Sequence, residues 1–291
     1  MTRTPGDPDR YGVVGHPVAH SRSPFIHRRF AAATGESLSY ERFDVRPGQF
    51  AAAVSALVDD GIRGLNVTLP HKLDALTFAD RLTDRARDAG AVNTLAWTTA
   101  EEVLGDNTDG AGLLRDLVVN LGSRLGGSRI ALLGAGGAAR GALAALTAVP
   151  EDERPAGIVI ANRTESKADR LATAFAARGP VTASGYERLG GPYDLLINAT
   201  SASLAGDVPP VPAASVHDAT LCYDMMYQSG PTPFLEWARA AGAGQLADGT
   251  GMLVEQAAES FVLWRGIRPE TGPVLAALRA ALADPTEDAD A

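Results

Sequence analysis

The chain of 291 residues has a single cysteine, Cys222. No intrachain disulfide can form, and a reducing compartment, most simply the cytoplasm, is the expected setting. Positive charge is also in deficit: 26 Lys and Arg against 35 Asp and Glu leave a net charge of −9. This argues against nucleic acid as the main partner, because a phosphate backbone needs a basic face, although a local basic patch can still take one phosphate. Long apolar runs are scarce. The best membrane candidate, Ile130 to Val149, carries the small-residue spacing Gly137 to Gly141. Arg140 near its middle costs about 2.5–3.5 kcal/mol on insertion scales, and glycine and alanine offset little of that. No membrane span is expected. The opening "MTRTPGDPDR" has prolines and acids where a secretory signal is apolar, and reads as a loose leader. "DPTEDADA" at the other end reads as a solvated acidic tail.

What is present is an ordinary globular composition, 45% hydrophobic and 21% charged. The length suits two α/β domains. Short β-rich runs alternate with helical stretches, the pattern of a mainly parallel sheet. The first series has strands at Tyr11–Gly15, Tyr40–Val45, Gly64–Thr68 and Val92–Trp97, with helices at Pro24–Thr34, Gln49–Asp59 and Lys72–Phe78. A second series follows the glycine-rich stretch near residue 125, with strands at Arg129–Gly134, Ile158–Ala161, Asp194–Thr200, Leu221–Met225 and Gly244–Asp248. The helix in "ESKADRLATAFAAR" is expected to stop at Gly179 and Pro180. A last helix, Met252 to Trp264, would cross back to the first domain. The division falls near residue 110: residues 1–109, completed by 250–291, and residues 110–249.

Gly134-Ala135-Gly136-Gly137-Ala138-Ala139 follows an apolar strand and opens an alanine-rich helix. That is the context a G-x-G-x-x-G/A dinucleotide fingerprint requires, with the helix N-terminus facing a diphosphate. The alternative is a plain strand–helix turn. The next strand chooses the cofactor. Where an NAD site ends that strand in Asp or Glu, this chain has Asn162-Arg163-Thr164, with Lys167 one turn into the helix. Cations in a first helical turn oppose the macrodipole by a few tenths to about 1 kcal/mol. Arg163 and Lys167 therefore expect an anion, the 2′-phosphate of NADP, with Thr164 capping the helix. A solvated basic helix start is the competing reading.

In the first domain "NVTLPHK" places Asn66, Thr68 and Lys72 just past an apolar strand, where ligands gather in open α/β sheets. "AVNTL" repeats the device with Asn93 and Thr94, and "GDNTDG" adds Asp106 to Asp109. Each alone is a plausible turn or cap. Beside a nicotinamide site they suggest carbonyl reduction, which needs a proton donor next to the oxygen that gains charge. Lys72 is the donor and Asp109 the carboxylate that orients it; an ordinary surface lysine is the alternative. The stretch "AHSRSPFIH" puts Ser23 at the N-cap of a helix begun by Pro24, with Ser21 just before it. Two hydroxyls and a helix dipole then face one anion. Arg22 and the nearby histidines are expected at the surface or behind the site. His16, His20, His27 and His71 have no metal-ligand spacing, and no metal is expected.

Taken in order, "VGHPVAHSRSPFIH", "GLNVTLPHK", "AGAVNTL", "GDNTDG", "GAGGAAR", "NRTESKA", "INATSAS", "YDMMY" and "DGTGMLVEQAAESF" resemble the shikimate dehydrogenases, from Tyr11 to about Leu282. The resemblance implies a substrate domain, a Rossmann NADP domain and C-terminal helices returning to the first. It implies NADPH-dependent, reversible reduction of 3-dehydroshikimate to shikimate on the route to aromatic amino acids, by a monomer or homodimer. Ser21 and Ser23 match the positions that bind the substrate carboxylate. Thr68, Asn93, Asp109 and Gln256 match those that hold ring hydroxyls and carboxylate; Lys72 matches the catalytic lysine paired with Asp109. Asn66 and Tyr227 match flanking positions. Gly134, Ala135, Gly136, Gly137 and Ala138 match the phosphate loop, and Asn162, Arg163, Thr164 and Lys167 the 2′-phosphate clamp. Met225 and Gly249 resemble positions near the nicotinamide.

Lys167 stands where some members carry arginine, and lysine lacks the planar fork that grips phosphate in two places. "NATSASLAGD" departs from the commoner "NATPxGM", with no functional account. Three rival readings are a quinate/shikimate dehydrogenase using NAD, a catalytically dead NADP-binding sensor, and an enzyme like methylene-tetrahydrofolate dehydrogenase. Arg163 argues against the first and the presence of Lys72 and Asp109 against the second. The third would not need the serine pair or Gln256.

Overall fold

The computed structural model describes residues 7–97 and 102–284. The leader up to residue 6 and the acidic tail from residue 285 lie outside them. The chain forms two compact units, residues 1–112 with 254–291, and residues 113–253.

The first unit contains β1 (Asp9–Gly15), α1 (Ser23–Thr34), β2 (Leu38–Asp44), α2 (Phe50–Asp59), β3 (Ile62–Val67), α3 (Lys72–Phe78), β4 (Arg81–Leu82), α4 (Asp84–Ala89), β5 (Thr94–Trp97) and β6 (Val103–Asp106). Its sheet runs β2-β1-β3-β5-β6-β4. The β1–β2 and β1–β3 pairs are parallel, as is β4–β6, while β5 is antiparallel to both neighbours. Alternation along β1 explains its place as an interior strand between β2 and β3. Tyr11 and Val13 pack with Val18 and Tyr40 on one face, and Val14 packs with Val54, Leu65 and Val67 on the other. The strands β4 and β6 were not expected. β4 is two residues long and β6 reads "VLGD", too short for either to show a period.

The second unit opens within α5 (Asp109–Arg115). It continues through β7 (Arg129–Leu133), α6 (Gly137–Thr147), β8 (Gly157–Ala161), α7 (Glu165–Phe175), β9 (Val181–Ser184), β10 (Leu195–Asn198), β11 (Leu221–Asp224), α8 (Pro233–Ala240) and β12 (Gln245–Ala247). Its six strands are all parallel in the order β12-β11-β10-β7-β8-β9, the doubly wound arrangement with its switch point between β7 and β10. β9 was missed because "VTAS" is short and only half-buried at the sheet edge. Two further helices, α9 (Thr250–Arg265) and α10 (Gly272–Ala283), complete the chain, and from Val254 onward they belong to the first unit. The Ile130–Val149 stretch is β7, a turn and α6. Among the described residues no helix is long and apolar enough to cross a membrane.

One core residue of the first unit carries a prediction. His27, on α1, is fully buried, with its ring stacked on Tyr40 at 4.3 Å and 5° and lying near Phe261 and Trp264. Neither ring nitrogen has a hydrogen-bond partner. Burial pushes its pKa from 6.5 down to about 3; the Asn66 amide opposes the shift but stands outside bonding geometry. Below about pH 6.5 the unfolded chain accepts a proton there that the folded chain refuses until about pH 3. Stability from this group is therefore complete above the unfolded value. It falls as pH drops through the window, by up to about 1.4 kcal/mol per unit. In urea titrations between pH 6 and 4, on the order of two units, His27→Phe should flatten the decline. An unchanged slope would assign the acid sensitivity elsewhere.

Candidate active site

In the first unit the strand ends deliver one connected set of polar side chains. Lys72 is the first residue of α3, and the residue before it is pinned: His71 Nε2 donates to the Val45 carbonyl (2.6 Å), and Nδ1 lies 2.8 Å from the Asp74 carboxylate. Asp109 begins α5, just past β6. The two meet, with Lys72 Nζ donating to Asp109 Oδ2 at 2.5 Å. Their side chains are 28% and 22% exposed, so a ligand can reach them although much of their surface is shielded from water. The other carboxylate oxygen accepts from Asn93 Nδ2 (2.8 Å). The orientation of the Asn93 amide is fixed, because its Oδ1 accepts from the Thr108 backbone N–H (2.8 Å) and the Thr94 hydroxyl (3.0 Å).

Gln256 reaches this cluster from α9, its Oε1 accepting from Asn93 Nδ2 and Thr108 Oγ1, each at 3.4 Å. The approach depends on Gly112, where a Cβ would stand 2.7 Å from both Cβ and N of Gln256. One turn further along α9, Ser260 accepts from Asn66 Nδ2 (2.8 Å). Asn66 also donates to Thr94 (3.1 Å) and accepts from the buried Tyr40 hydroxyl (2.7 Å). With both ends of its amide engaged and 6% of its surface exposed, Asn66 braces the site from behind. Thr68 follows β3, half-buried, with its N–H on the Val14 carbonyl (2.9 Å). Beneath the "GDNTDG" loop, Arg85 grips the buried Asp106 through two N–H bonds of 2.7 and 2.5 Å, a fork that holds the segment leading into Asp109.

The serine pair needs a correction. Ser23 is the first residue of α1, and Arg22 occupies the N-cap with helical φ and ψ and no side-chain cap bond. Pro24 therefore sits at the second helical position, where its missing N–H costs nothing and its fixed φ suits the helix. Ser21 takes over part of the cap's role, its hydroxyl accepting from the Ser23 N–H (3.3 Å) and donating to the Ser23 hydroxyl (3.2 Å). The two side chains are thus together, one turn edge from the helix start. The histidines divide: His16 and His20 are exposed at the surface, whereas His27 and His71 are buried. Tyr40 and Ser260 are missed by sequence reasoning as parts of the site, whereas Thr94 and Thr108 lie in the polar loops it marked. The available signal for Ser260 was its i, i+4 spacing with Gln256 on a helix.

In the second unit Gly134 makes the turn after β7 with φ +107, a conformation that L side chains rarely adopt. Gly136 is the N-cap of α6 and Gly137 its first residue, and a Cβ on either would meet nothing within 4 Å. That open space over a helix N-terminus suits a diphosphate brought against backbone. Ala135 lies in the turn, Ala138 is the second residue of α6, and Ala139 is fully buried. After β8, Asn162 Nδ2 donates to the Thr164 carbonyl (2.8 Å). Arg163 and Lys167 are exposed. Thr164 occupies the N-cap of α7 as expected but makes no side-chain cap bond, so its hydroxyl does not serve the helix. The one acid in that first turn, Glu165, is paired with Arg188, which leaves the loop basic. This donor set fits NADP. Met225 and Tyr227 follow β11, in a loop tied down by the buried Asp224. Its carboxylate accepts from Thr232 (2.6 Å), Ser203 (2.7 Å) and the Met226 N–H (3.0 Å). The Gly249 N–H returns to the Met226 carbonyl (3.1 Å).

A doubly wound dinucleotide-binding sheet and a Lys–Asp pair in one chain define the class of pyridine-nucleotide dehydrogenases. Residues 13–95 match the family model of the shikimate dehydrogenase substrate binding domain. Residues 116–205 match that of shikimate/quinate 5-dehydrogenase, and residues 249–279 the shikimate 5'-dehydrogenase C-terminal domain. Shikimate dehydrogenase (NADP(+)) of Alkalilimnicola ehrlichii is 53% identical over 93% of this chain and 98% of its own length. The chain belongs to the shikimate dehydrogenase family. Among solved structures, shikimate 5-dehydrogenase from Thermus thermophilus, crystallised with NADP(H) and shikimate, is 33% identical with a TM-score of 0.82, covering 94% of this chain and all of that one. The ligand-free 5-ketofructose reductase of a Gluconobacter species has a TM-score of 0.83 at 31% identity, covering 95% and 99%. The shared fold thus carries more than one named activity, and the choice of substrate rests on side chains.

Proposed function

We propose that this chain is an NADP-dependent shikimate dehydrogenase, catalysing the reversible reduction of 3-dehydroshikimate to shikimate, with residues 1–109 and 250–291 as its substrate domain and 110–249 as its NADP domain. The observation that carries the reading is the Lys72–Asp109 contact of 2.5 Å, joined through Asn93 to Gln256. NADPH, when bound, supplies the hydride. The Gly134–Ala138 loop would hold its diphosphate, Asn162, Arg163, Thr164 and Lys167 its 2′-phosphate, and Met225 and Gly249 would lie near its nicotinamide.

Lys72 gives a proton to the substrate oxygen during reduction and takes it back during oxidation. Asp109 orients the ammonium and accepts from a ring hydroxyl; Asn93 keeps that carboxylate turned toward both. Thr68, Asn93 and Gln256 hold the remaining ring hydroxyls, and Tyr227 flanks them. Asn66 acts on the same site by fixing its neighbours. Ser21 and Ser23 donate to the substrate carboxylate, with the N-terminus of the twelve-residue α1 behind them. The cytoplasm, with its free NADPH, is the proposed setting.

Each hydroxyl-to-carboxylate bond contributes about 1.5–3 kcal/mol. Ser21→Ala and Ser23→Ala should each raise the KM for shikimate by about tenfold or more, with the KM for NADP unmoved. If the shikimate KM stays put in both variants, the serines serve only the helix start. The reading as a whole is tested by initial rates with shikimate or quinate, each paired with NADP or NAD. Shikimate with NADP should be fastest by a wide margin. Faster turnover of quinate with NAD would overturn the assignment in favour of a quinate dehydrogenase.

A further inference from the structure

Strand β2 faces the serine pair with two side chains that the reaction scheme above leaves unused. Residues 40 and 42 lie on the same side of the strand. The Tyr40 hydroxyl donates to Asn66 at 2.7 Å. Arg42 sends two N–H bonds to a single atom, the Ser21 carbonyl oxygen, from Nε at 2.9 Å and from a terminal nitrogen at 2.7 Å. It therefore holds the backbone of the residue whose hydroxyl should meet the carboxylate.

The charge around it is uneven for so acidic a protein. Partial desolvation, and after it the positive fields of Arg28 and Arg22, hold the Arg42 pKa below its usual value. Of the strand's own carboxylates, Glu41 is paired with Arg10 and Asp44 with His16. Arg22 at the N-cap of α1 and Arg42 on the Ser21 carbonyl bring two guanidinium groups to one helix start, where they repel one another and oppose the helix dipole, and Arg28 follows in the second turn. In a chain of net charge −9, guanidinium groups placed at a helix start are explained if an anion is meant to arrive there.

Resting on the shikimate reading, we infer that Arg42 is a further specificity determinant: it positions Ser21 and supplies, with Arg22 and Arg28, the positive potential that selects a carboxylate-bearing substrate. Serine hydroxyls alone bind a neutral hydrogen-bond acceptor too; the guanidinium cluster makes the full negative charge the feature that is read. The role is electrostatic and positional. Arg42 takes no part in proton transfer.

The test compares wild type with Arg42→Gln and Arg42→Lys, using shikimate and its methyl ester across a range of ionic strength. At low salt Arg42→Gln should raise the KM for shikimate about fivefold or more, since a unit charge a few ångströms away in a partly screened setting has an effect of that order. The kcat should stay within about twofold, because Lys72 and Asp109 are untouched. The KM for NADP should not change. The gap between wild type and Arg42→Gln should narrow as salt rises, and Arg42→Lys should recover most of the loss at low salt. With the methyl ester, which carries no charge, Arg42→Gln should show only the smaller loss from a less well held Ser21, with no dependence on salt. A purely structural role would lower activity on both substrates equally at every ionic strength and would not be rescued by lysine, and that pattern overturns the inference. An Arg42→Gln protein with an unchanged shikimate KM and salt slope overturns it as well. Absence of shikimate turnover in the wild type would instead remove the substrate reading on which it stands.

Discussion

Lys72→Ala lowers kcat for shikimate oxidation by about 10²–10⁴-fold, the range for loss of a placed proton-transfer group, while NADP binds as in the wild type. Lys72 sits in the first unit, at the start of α3, and the residues that fit the cofactor belong to the second. Its removal therefore separates chemistry from cofactor affinity. The stability cost is small, because the side chain is partly exposed and its ion-pair partner keeps Asn93 as a second hydrogen-bond donor. Steady-state kinetics with a fluorescence titration of NADP check both halves. A variant retaining half of the wild-type kcat would remove Lys72 from the mechanism. Asp109→Asn should lie between, since an amide still accepts from the ammonium but no longer balances its charge.

The cofactor preference should show the second large effect. Arg163→Ala weakens NADP by about ten- to 150-fold, the equivalent of one charge-assisted contact of about 1.5–3 kcal/mol, and changes NAD little. The argument is the composition of the loop after β8. Arg163 and Lys167 are exposed at the N-terminal turn of α7, where the helix dipole disfavours them, and the nearby Glu165 is engaged by Arg188. Lys167→Ala should cost less, as a single flexible ammonium on the same phosphate. Equal losses for NADP and NAD would assign Arg163 to the fold and leave the 2′-phosphate without its reader.

Most of this was legible in the sequence, for stated reasons. The strand Arg129–Leu133 is an apolar run buried on both faces after its first residue, and α3 spans the same residues in sequence and structure. The chemistry-bearing residues at strand ends were readable because several such polar loops occur beside a dinucleotide fingerprint, where one alone would pass as a turn or cap. What was not readable depends on contacts across long separations. Ser260 joins Asn66 over 194 positions, and Trp264 fills the space left by Gly64, where a Cβ would stand 2.3 Å from the indole nitrogen. No local period announces either. The start of α1 was placed one residue late because a serine before proline is the usual cap, and here Arg22 occupies that position while Ser21 receives the N–H. Arg42 was invisible as part of a site because an arginine on a strand is ordinarily solvated; only the fold brings it to the Ser21 carbonyl.

The most direct test of the central claim is to mix the purified chain with 3-dehydroshikimate and NADPH, follow the loss of NADPH absorbance, and identify the product by mass spectrometry. The account predicts one shikimate formed for each NADPH consumed, with NADH a far poorer reductant. A product other than shikimate, no consumption of NADPH, or equal use of NADH would contradict it.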